Sequence, residues 1–202
     1  MGRPRTPLLS ADRIADAALE LVNATGGFTM PALAGRLGVR PSSLYNHVAG
    51  RDAIVELLRE RAMSEVELPS HDPDELPRPW REAVADIARS YRRSYARYPR
   101  LIPLLTAYPV NSASAITMYN TLAATLVRAG FDHADTLRVI TLIDYLVLGS
   151  ALDVAAPDEP WLASAEVGPE FAAALATATP NPHRADDAFE YGLSVLLAGL
   201  GA

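Results

Sequence analysis

Apolar positions recur with a helical period along almost the whole chain. In "ADRIADAALELVNATGG", Ile14, Ala17, Ala18, Leu21 and Val22 stand at i, i+3, i+4, i+7 and i+8, one face of a helix. Ser10 precedes the run as an N-cap, and Gly26-Gly27 ends it. A short second helix follows in "TMPALAGRL". Thr29 is its cap, Pro31 sits in the first turn where a missing N–H costs nothing, and Gly38 is its left-handed stop. "PSSLYNHV" starts a third helix with Pro41 near its beginning. A fourth runs over 51–66 with Ile54, Leu57 and Leu58 inward. Further on, the periodicity predicts helices near 80–98, 100–107, 112–129, 133–154, 169–178 and 184–200.

Between the two groups lies "ELPSHDPDELPRP", with four Pro and four acids in thirteen residues, which cannot continue a helix. No segment alternates as a strand does, and no repeat is visible. The expected fold is all-α. A three-helix head containing a helix-turn-helix, residues 1–50, precedes a larger helical body, residues 51–202, through a connecting helix at 51–66.

The third helix raises the chemical question. Two short helices joined by a tight Gly turn form a helix-turn-helix, whose second helix enters the major groove of a duplex. Leu33, Ala34, Leu37, Val39, Leu44 and Val48 are the apolar set needed to fold it. Removing them leaves Arg40, Ser42, Ser43, Tyr45, Asn46 and His47 facing outward, donors and acceptors suited to base edges and phosphates. At Gly50-Arg51 the next helix offers free backbone N–H groups to a phosphate, with Arg51 adding charge. Each residue also fits a plainer role. Tyr45 suits a core, His47 an ordinary surface, Ser42-Ser43 an N-cap pair, and Arg51-Asp52 the charge of a helix start. Their joint placement on one face of a compact helix pair is what points to DNA.

The charge distribution agrees. The net charge is −6, but residues 1–61 hold 8 Arg against 6 acids, whereas residues 62–202 hold 10 Arg against 18. A mildly basic head on an acidic body suits nucleic-acid contact by the head alone. There is no Cys, which removes disulfides, zinc–thiolate sites and thiol nucleophiles, and the four His have no metal-ligand spacing. Neither a metal nor another cofactor is expected. The longest apolar run, around "YLVLGSALDVAA", is broken by Gly149, Ser150 and Asp153 and is too short to span a bilayer. "MGRPRTPLLSADR" lacks the apolar run of a signal peptide, so a cytoplasmic protein is expected.

The stretches "IADAALELVNATG", "FTMPALAGRLGV" and "SSLYNHVAGRDAIVELL", in that order, resemble the DNA-binding head of the tetracycline-repressor (TetR) family of bacterial transcriptional regulators over residues 10–57. The resemblance implies that Tyr45, His47 and Arg51 hold phosphates. It implies also that Arg40, Ser42, Ser43 and Asn46 face bases, and that Thr29 contacts the backbone. The chain departs from the family pattern at Met30, Pro31, Asn46 and Ala49, which bears on the operator sequence rather than the binding mode. "GRPRTP" places Arg3 and Arg5 where they either enter a minor groove or belong to an uninvolved tail.

In that family the body binds a small effector and dimerises. The similarity resumes in "PWREAVADIARSYRRSYARYP" and "DDAFEYGLSVLLAGL". For the dimer, the last helix offers Phe189, Leu193, Leu196 and Leu197, and the long helix before it Ile143, Leu146 and Val147; both sets also fit the core of a monomer. For the effector pocket, Tyr91 and Tyr95 lie at i, i+4, joined by Leu104, Tyr108, Met118 and Tyr119 from neighbouring helices. Asp144, a carboxylate inside "VITLIDYLVLG", must be partnered, exposed or reserved for a ligand, an Arg across the dimer being the plainest partner. The family's tetracycline and magnesium contacts fall on Glu67, Ile87, Tyr91, Leu104 and Ala107, where no imidazole remains, so the implied effector is apolar or aromatic rather than a tetracycline–magnesium complex. The expected function is a dimeric repressor that binds a palindromic double-stranded DNA operator and is released by a small effector. The alternative is a small helical enzyme in which Asp144 and a Tyr transfer a proton, although the chain has no nucleophile–base pair or Gly-rich phosphate loop.

Overall fold

The computed structural model describes residues 9–69, 79–157, 159–161, 164, 166–177 and 181–201. Arg3, Arg5 and most of the Pro-rich boundary lie outside the described residues. Among the described residues the structure is helical, with no strand.

The head opens with α1, Ala11–Thr25, started by the Ser10 hydroxyl, which accepts from the Arg13 amide at 3.2 Å. It ends at Gly26 with φ of 80°, a left-handed conformation that favours glycine. Helix α2, Met30–Leu37, starts at Thr29, whose hydroxyl accepts from the Ala32 amide at 3.2 Å. Gly38, with φ of 68°, turns the chain toward α3, Pro41–Leu44. This third helix is shorter than the pattern suggests. After Leu44 the backbone tightens into a turn, with the His47 and Val48 amides both donating to the Leu44 carbonyl. Pro41 takes the first helical position, so Ser42 is not the N-cap; Arg40 is, without a side-chain bond. Leu33, Ala34, Leu44 and Val48 are buried, and Leu37 and Val39 are half-buried. Each fully buried Leu contributes about 1.5–3 kcal/mol of burial free energy to an otherwise small head.

Helix α4, Arg51–Met63, joins head and body. Ile54, Val55 and Leu58 are fully buried, and the helix packs against α1 as well as against the body helices. The body comprises α5 (Trp80–Ala96), α6 (Ile102–Thr106), α7 (Ala113–Arg128), α8 (His133–Asp153), α9 (Pro169–Thr177) and α10 (Arg184–Gly199). The helix expected over 100–107 divides into a 3-10 turn, Pro99–Leu101, and α6. Pro99 and Pro103 supply no N–H, so one continuous ladder cannot form there. Helices α5 and α8 form the centre of the body, flanked by α7 and α10.

Arginines fasten this packing. Arg92 on α5 is buried, donates to the Ser150 hydroxyl at 2.7 Å, pairs with Asp186 at 2.6 Å and lies 4.9 Å from the Phe189 ring centroid. Arg89 grips Glu190 through two nitrogens, and Arg81 donates to the carbonyls of Leu197 and Leu200 at the end of α10. Against these, α9 buries none of its side chains within the chain.

The structure corrects the expected dimer residues. Ile143 and Val147 are fully buried, and Phe189, Leu193 and Leu197 are buried too, all inside their own subunit. Only Leu146 and Leu196 retain partial exposure. The outward apolar stripes are others: Leu142, Tyr145, Gly149 and Leu152 on α8, and Ala188, Tyr191, Val195 and Ala198 on α10. Helix α8 is apolar on nearly every side, so periodicity alone cannot choose its inward face.

Candidate DNA-contact surface and effector site

The head displays the expected polar residues at its surface. Thr29, Arg40, Ser42, Tyr45, Asn46 and His47 are exposed and Ser43 is half-buried. Tyr45 is 58% exposed, which removes its core reading. It stands one residue after Leu44, which is fully buried, so the short turn of α3 is anchored through Leu44 and displays Tyr45, Asn46 and His47 to solvent. The side chains of Ser43, Asn46 and His47 form no hydrogen bond with another described residue and are not turned into the subunit.

Arg51 is placed differently from the other seven residues. It is half-buried; one guanidinium nitrogen donates to the Phe28 carbonyl and Nε donates to the Tyr108 hydroxyl at 3.0 Å. Its charged carbon lies 4.4 Å from the Phe28 ring centroid, a cation–π contact. The side chain is thus held at the junction of head and body.

Tyr108 is for the same reason separated from the expected pocket set. With Pro109, Asn111 and Ser112 it borders an open groove of about 570 Å³ along Asp52, Glu56, Leu57 and Glu60 of α4. Glu60 accepts from the Ser114 amide at 3.0 Å and from the Ser114 hydroxyl, and these bonds hold its carboxyl below the usual range. They also tie the start of α7 to α4.

Four members of the expected pocket do come together where α5, α7 and α8 meet. The Tyr91 and Tyr95 rings pack edge-to-face with centroids 5.1 Å apart, both nearly fully buried. From α7 the Tyr119 hydroxyl donates to Asp144 on α8, 3.2 Å from one carboxylate oxygen and 3.1 Å from the other. The Tyr91 phenol lies in the same cluster, close enough to favour the charged form of Asp144. Within the subunit Asp144 is therefore partnered by the Tyr119 phenol. Burial pushes its pKa up to about 6, while the Tyr119 and Tyr91 hydroxyls oppose that rise. Burial raises Tyr95 to about 12 and Tyr119 further still. Met118 is fully buried on α7 and Leu104 is buried on α6.

Sequence reasoning passed over Arg59. It is 5% exposed, pairs with Glu56 at 3.0 Å and donates to the carbonyls of Leu105 and Tyr108 at 2.9 and 3.1 Å, with Tyr95 beside it. Its signal was its place four residues after Val55, on the inward face of α4. The positions aligned with tetracycline contacts do not form a comparable set, since Glu67 is exposed and pairs with Arg93, and Ala107 is exposed. Among the described residues no group of three or more His, Asp and Glu is placed to hold a metal ion, and no helix is long and apolar enough to cross a membrane.

Comparison with known proteins gives this geometry its family. Residues 72–202 match the family described as tetracyclin repressor-like, C-terminal domain. The chain is 30% identical over 72% of its length to the HTH-type transcriptional repressor DrrR1 of Streptomyces coeruleorubidus, but spans 53% of that protein's length. It is 30% identical to the class A tetracycline repressor of Escherichia coli, over 95% of this chain and 90% of the relative. The TetR family protein ActR of Streptomyces coelicolor, solved in complex with (S)-DNPA, superposes with a TM-score of 0.73 at 25% identity, over 96% of this chain and 98% of that one. From its head motif, its matched body and its fold, the chain belongs to the tetracycline repressor family.

Proposed function

We propose that the protein is a cytoplasmic transcriptional repressor that binds a palindromic DNA operator as a homodimer and is released by a small, largely apolar or aromatic effector. The observation that carries the reading is the exposed face of Ser42, Tyr45, Asn46 and His47, displayed by a turn whose only inward anchor between Pro41 and His47 is Leu44. Thr29, Arg40 and Ser43 extend that face. In this reading Tyr45 and His47 meet phosphates, and Arg40, Ser42, Ser43 and Asn46 meet base edges. Residues 1–50 form the DNA-binding head and residues 51–202 the effector-binding and dimerising body, with α4 connecting them.

The dimer forms through the exposed stripes of α8 and α10, centred on Tyr145 and Tyr191, which are 70% and 74% exposed in the isolated chain. Two such helices from each subunit make a four-helix contact, and a two-fold operator calls for two heads. The effector enters at Tyr91, Tyr95, Tyr119 and Asp144. Its binding favours a body arrangement in which the two heads are wrongly spaced for successive major grooves. A change from almost wholly bound to almost wholly free needs about 5.5 kcal/mol of differential affinity. The Tyr119–Asp144 pair is a binding group, not an acid–base pair, so a ligand that saturates the protein is recovered chemically unchanged.

Gel-shift titration tests the reading, using genomic fragments retained by the purified protein. Asn46→Ala should relax preference at one base pair per half-site, a loss of about 1–3 kcal/mol of discrimination. If Asn46→Ala and Arg40→Ala both bind every fragment as the parent does, the assigned face is wrong.

A further inference from the structure

We propose that the effector is a cation, an aromatic or polycyclic molecule whose protonated amine docks on Asp144 among Tyr91, Tyr95 and Tyr119. The inference rests on the reading of that cluster as the effector site and names the chemical class it selects.

The cluster holds a negative charge that the fold does not balance. Among the described residues no Arg or His pairs with Asp144; its hydrogen bonds come from the Tyr119 hydroxyl. Phenols satisfy the oxygens but bring no charge. Arg59, on the far side of Tyr95, is already engaged by Glu56 and by two backbone carbonyls. An ammonium group reaching Asp144 meets a carboxylate beside the half-buried Tyr119 phenol, and a carboxylate favours a cation over any neutral group.

The surroundings suit the remainder of such a ligand. One turn either side of Tyr119 on α7 stand Ile116 and Ala123, and one turn either side of Asp144 on α8 stand Ile140 and Leu148. Ile116 is 42% exposed, and Tyr119 and Asp144 are themselves partly exposed, so the carboxylate is reached by solvent near apolar side chains. Asp144, with its pKa near 6, is mostly ionised at neutral pH and itself offers a ligand no donor. An anion would be repelled. The excess of acids in residues 62–202, 18 against 10 Arg, adds a long-range field of the sign that draws cations inward.

Three planar tricyclic probes of different charge test this on the intact chain without DNA: cationic 9-aminoacridine, neutral acridone and anionic anthracene carboxylate. Fluorescence titration should show saturable binding of 9-aminoacridine at least about tenfold tighter than acridone, with the anion weakest. Asp144→Asn should remove that preference, bringing 9-aminoacridine to within about twofold of acridone on the same variant. Equal affinity for the cation and acridone on the unaltered chain overturns the inference but leaves the pocket standing, as does a cation preference that survives Asp144→Asn. Failure of all three probes to bind saturably overturns both the cation and the assignment of the cluster as the effector site.

Discussion

Arg51 and Tyr108 lie 57 positions apart in sequence and are joined by a 3.0 Å hydrogen bond from the guanidinium Nε to the phenolic oxygen. The same guanidinium holds the Phe28 carbonyl, so one side chain at the start of α4 connects the approach to α2 with the segment after α6. The two acceptors are reached from two separate nitrogens of the guanidinium, a span that the single ammonium nitrogen of a Lys does not offer.

Removing the phenolic oxygen with Tyr108→Phe should destabilise the chain by about 1 kcal/mol, the usual net value of such a bond. Arg51→Ala should cost more, because it leaves the Phe28 carbonyl without its donor, and Arg51→Lys should restore little of the loss. Urea unfolding followed by circular dichroism measures all three. Arg51→Lys with parental stability would show that the two-nitrogen span is immaterial.

The two head arginines should separate in their effect on DNA. Arg40 is exposed beside the recognition turn, whereas Arg51 is engaged inside the protein. In the proposed contact Arg40 meets a base edge but carries its charge into the groove. Arg40→Ala should therefore relax preference at one base pair per half-site and also lower the magnitude of the slope of log affinity against log salt. Arg51→Ala should leave the slope nearer the parent's. Filter binding over a series of salt concentrations distinguishes them, and equal losses of slope would place Arg51 on phosphate after all.

Asp144 should impose a pH dependence on folding. Its folded pKa is raised to about 6 by burial, so between its unfolded value and about 6 the folded chain holds a proton that the unfolded chain has released. The contribution of this group to stability therefore declines as pH rises through that interval, and its full cost remains above it. Asp144→Asn should flatten this decline and stabilise the protein at neutral pH by up to about 3 kcal/mol. Parent and variant with parallel stability–pH curves between about pH 4 and pH 7 would show that Asp144 does not carry the dependence.

The exposed stripes of α8 and α10 should hold the dimer together. Tyr145→Glu introduces a charge on the face of α8 and, by two-fold symmetry, appears twice in one interface. Light scattering should find a monomer, with operator affinity reduced at least about a hundredfold from the loss of paired heads. A Tyr145→Glu dimer of unchanged affinity would remove this face from consideration.

The helices, their caps and the polar face of the head were legible in the sequence because each depends on neighbours within a few residues. Ser10, Thr29 and Gly38 act through local backbone bonds, and Ser42, Tyr45, Asn46 and His47 became visible once the apolar set around Leu44 was set aside. The sequence misdirected wherever a helix was apolar on more than one side. Ile143 and Val147 faced the subunit's own core, while Tyr145 and Leu142 faced out, and nothing in the period of α8 distinguishes the two arcs.

Long-range partners were hidden for the same reason. Tyr108 read as one more pocket aromatic until the fold gave its hydroxyl to Arg51, and the bond from Tyr119 to Asp144 joins residues on two separate helices. The sequence by itself determined the all-α character, the head and the surface that the head displays, because periodicity and capping are local. Only the tertiary structure decided which face of α8 is buried, which groups satisfy Asp144 and where Arg51 points. Those outcomes depend on residues brought together from separate helices, and their free energy exists only once the helices pack.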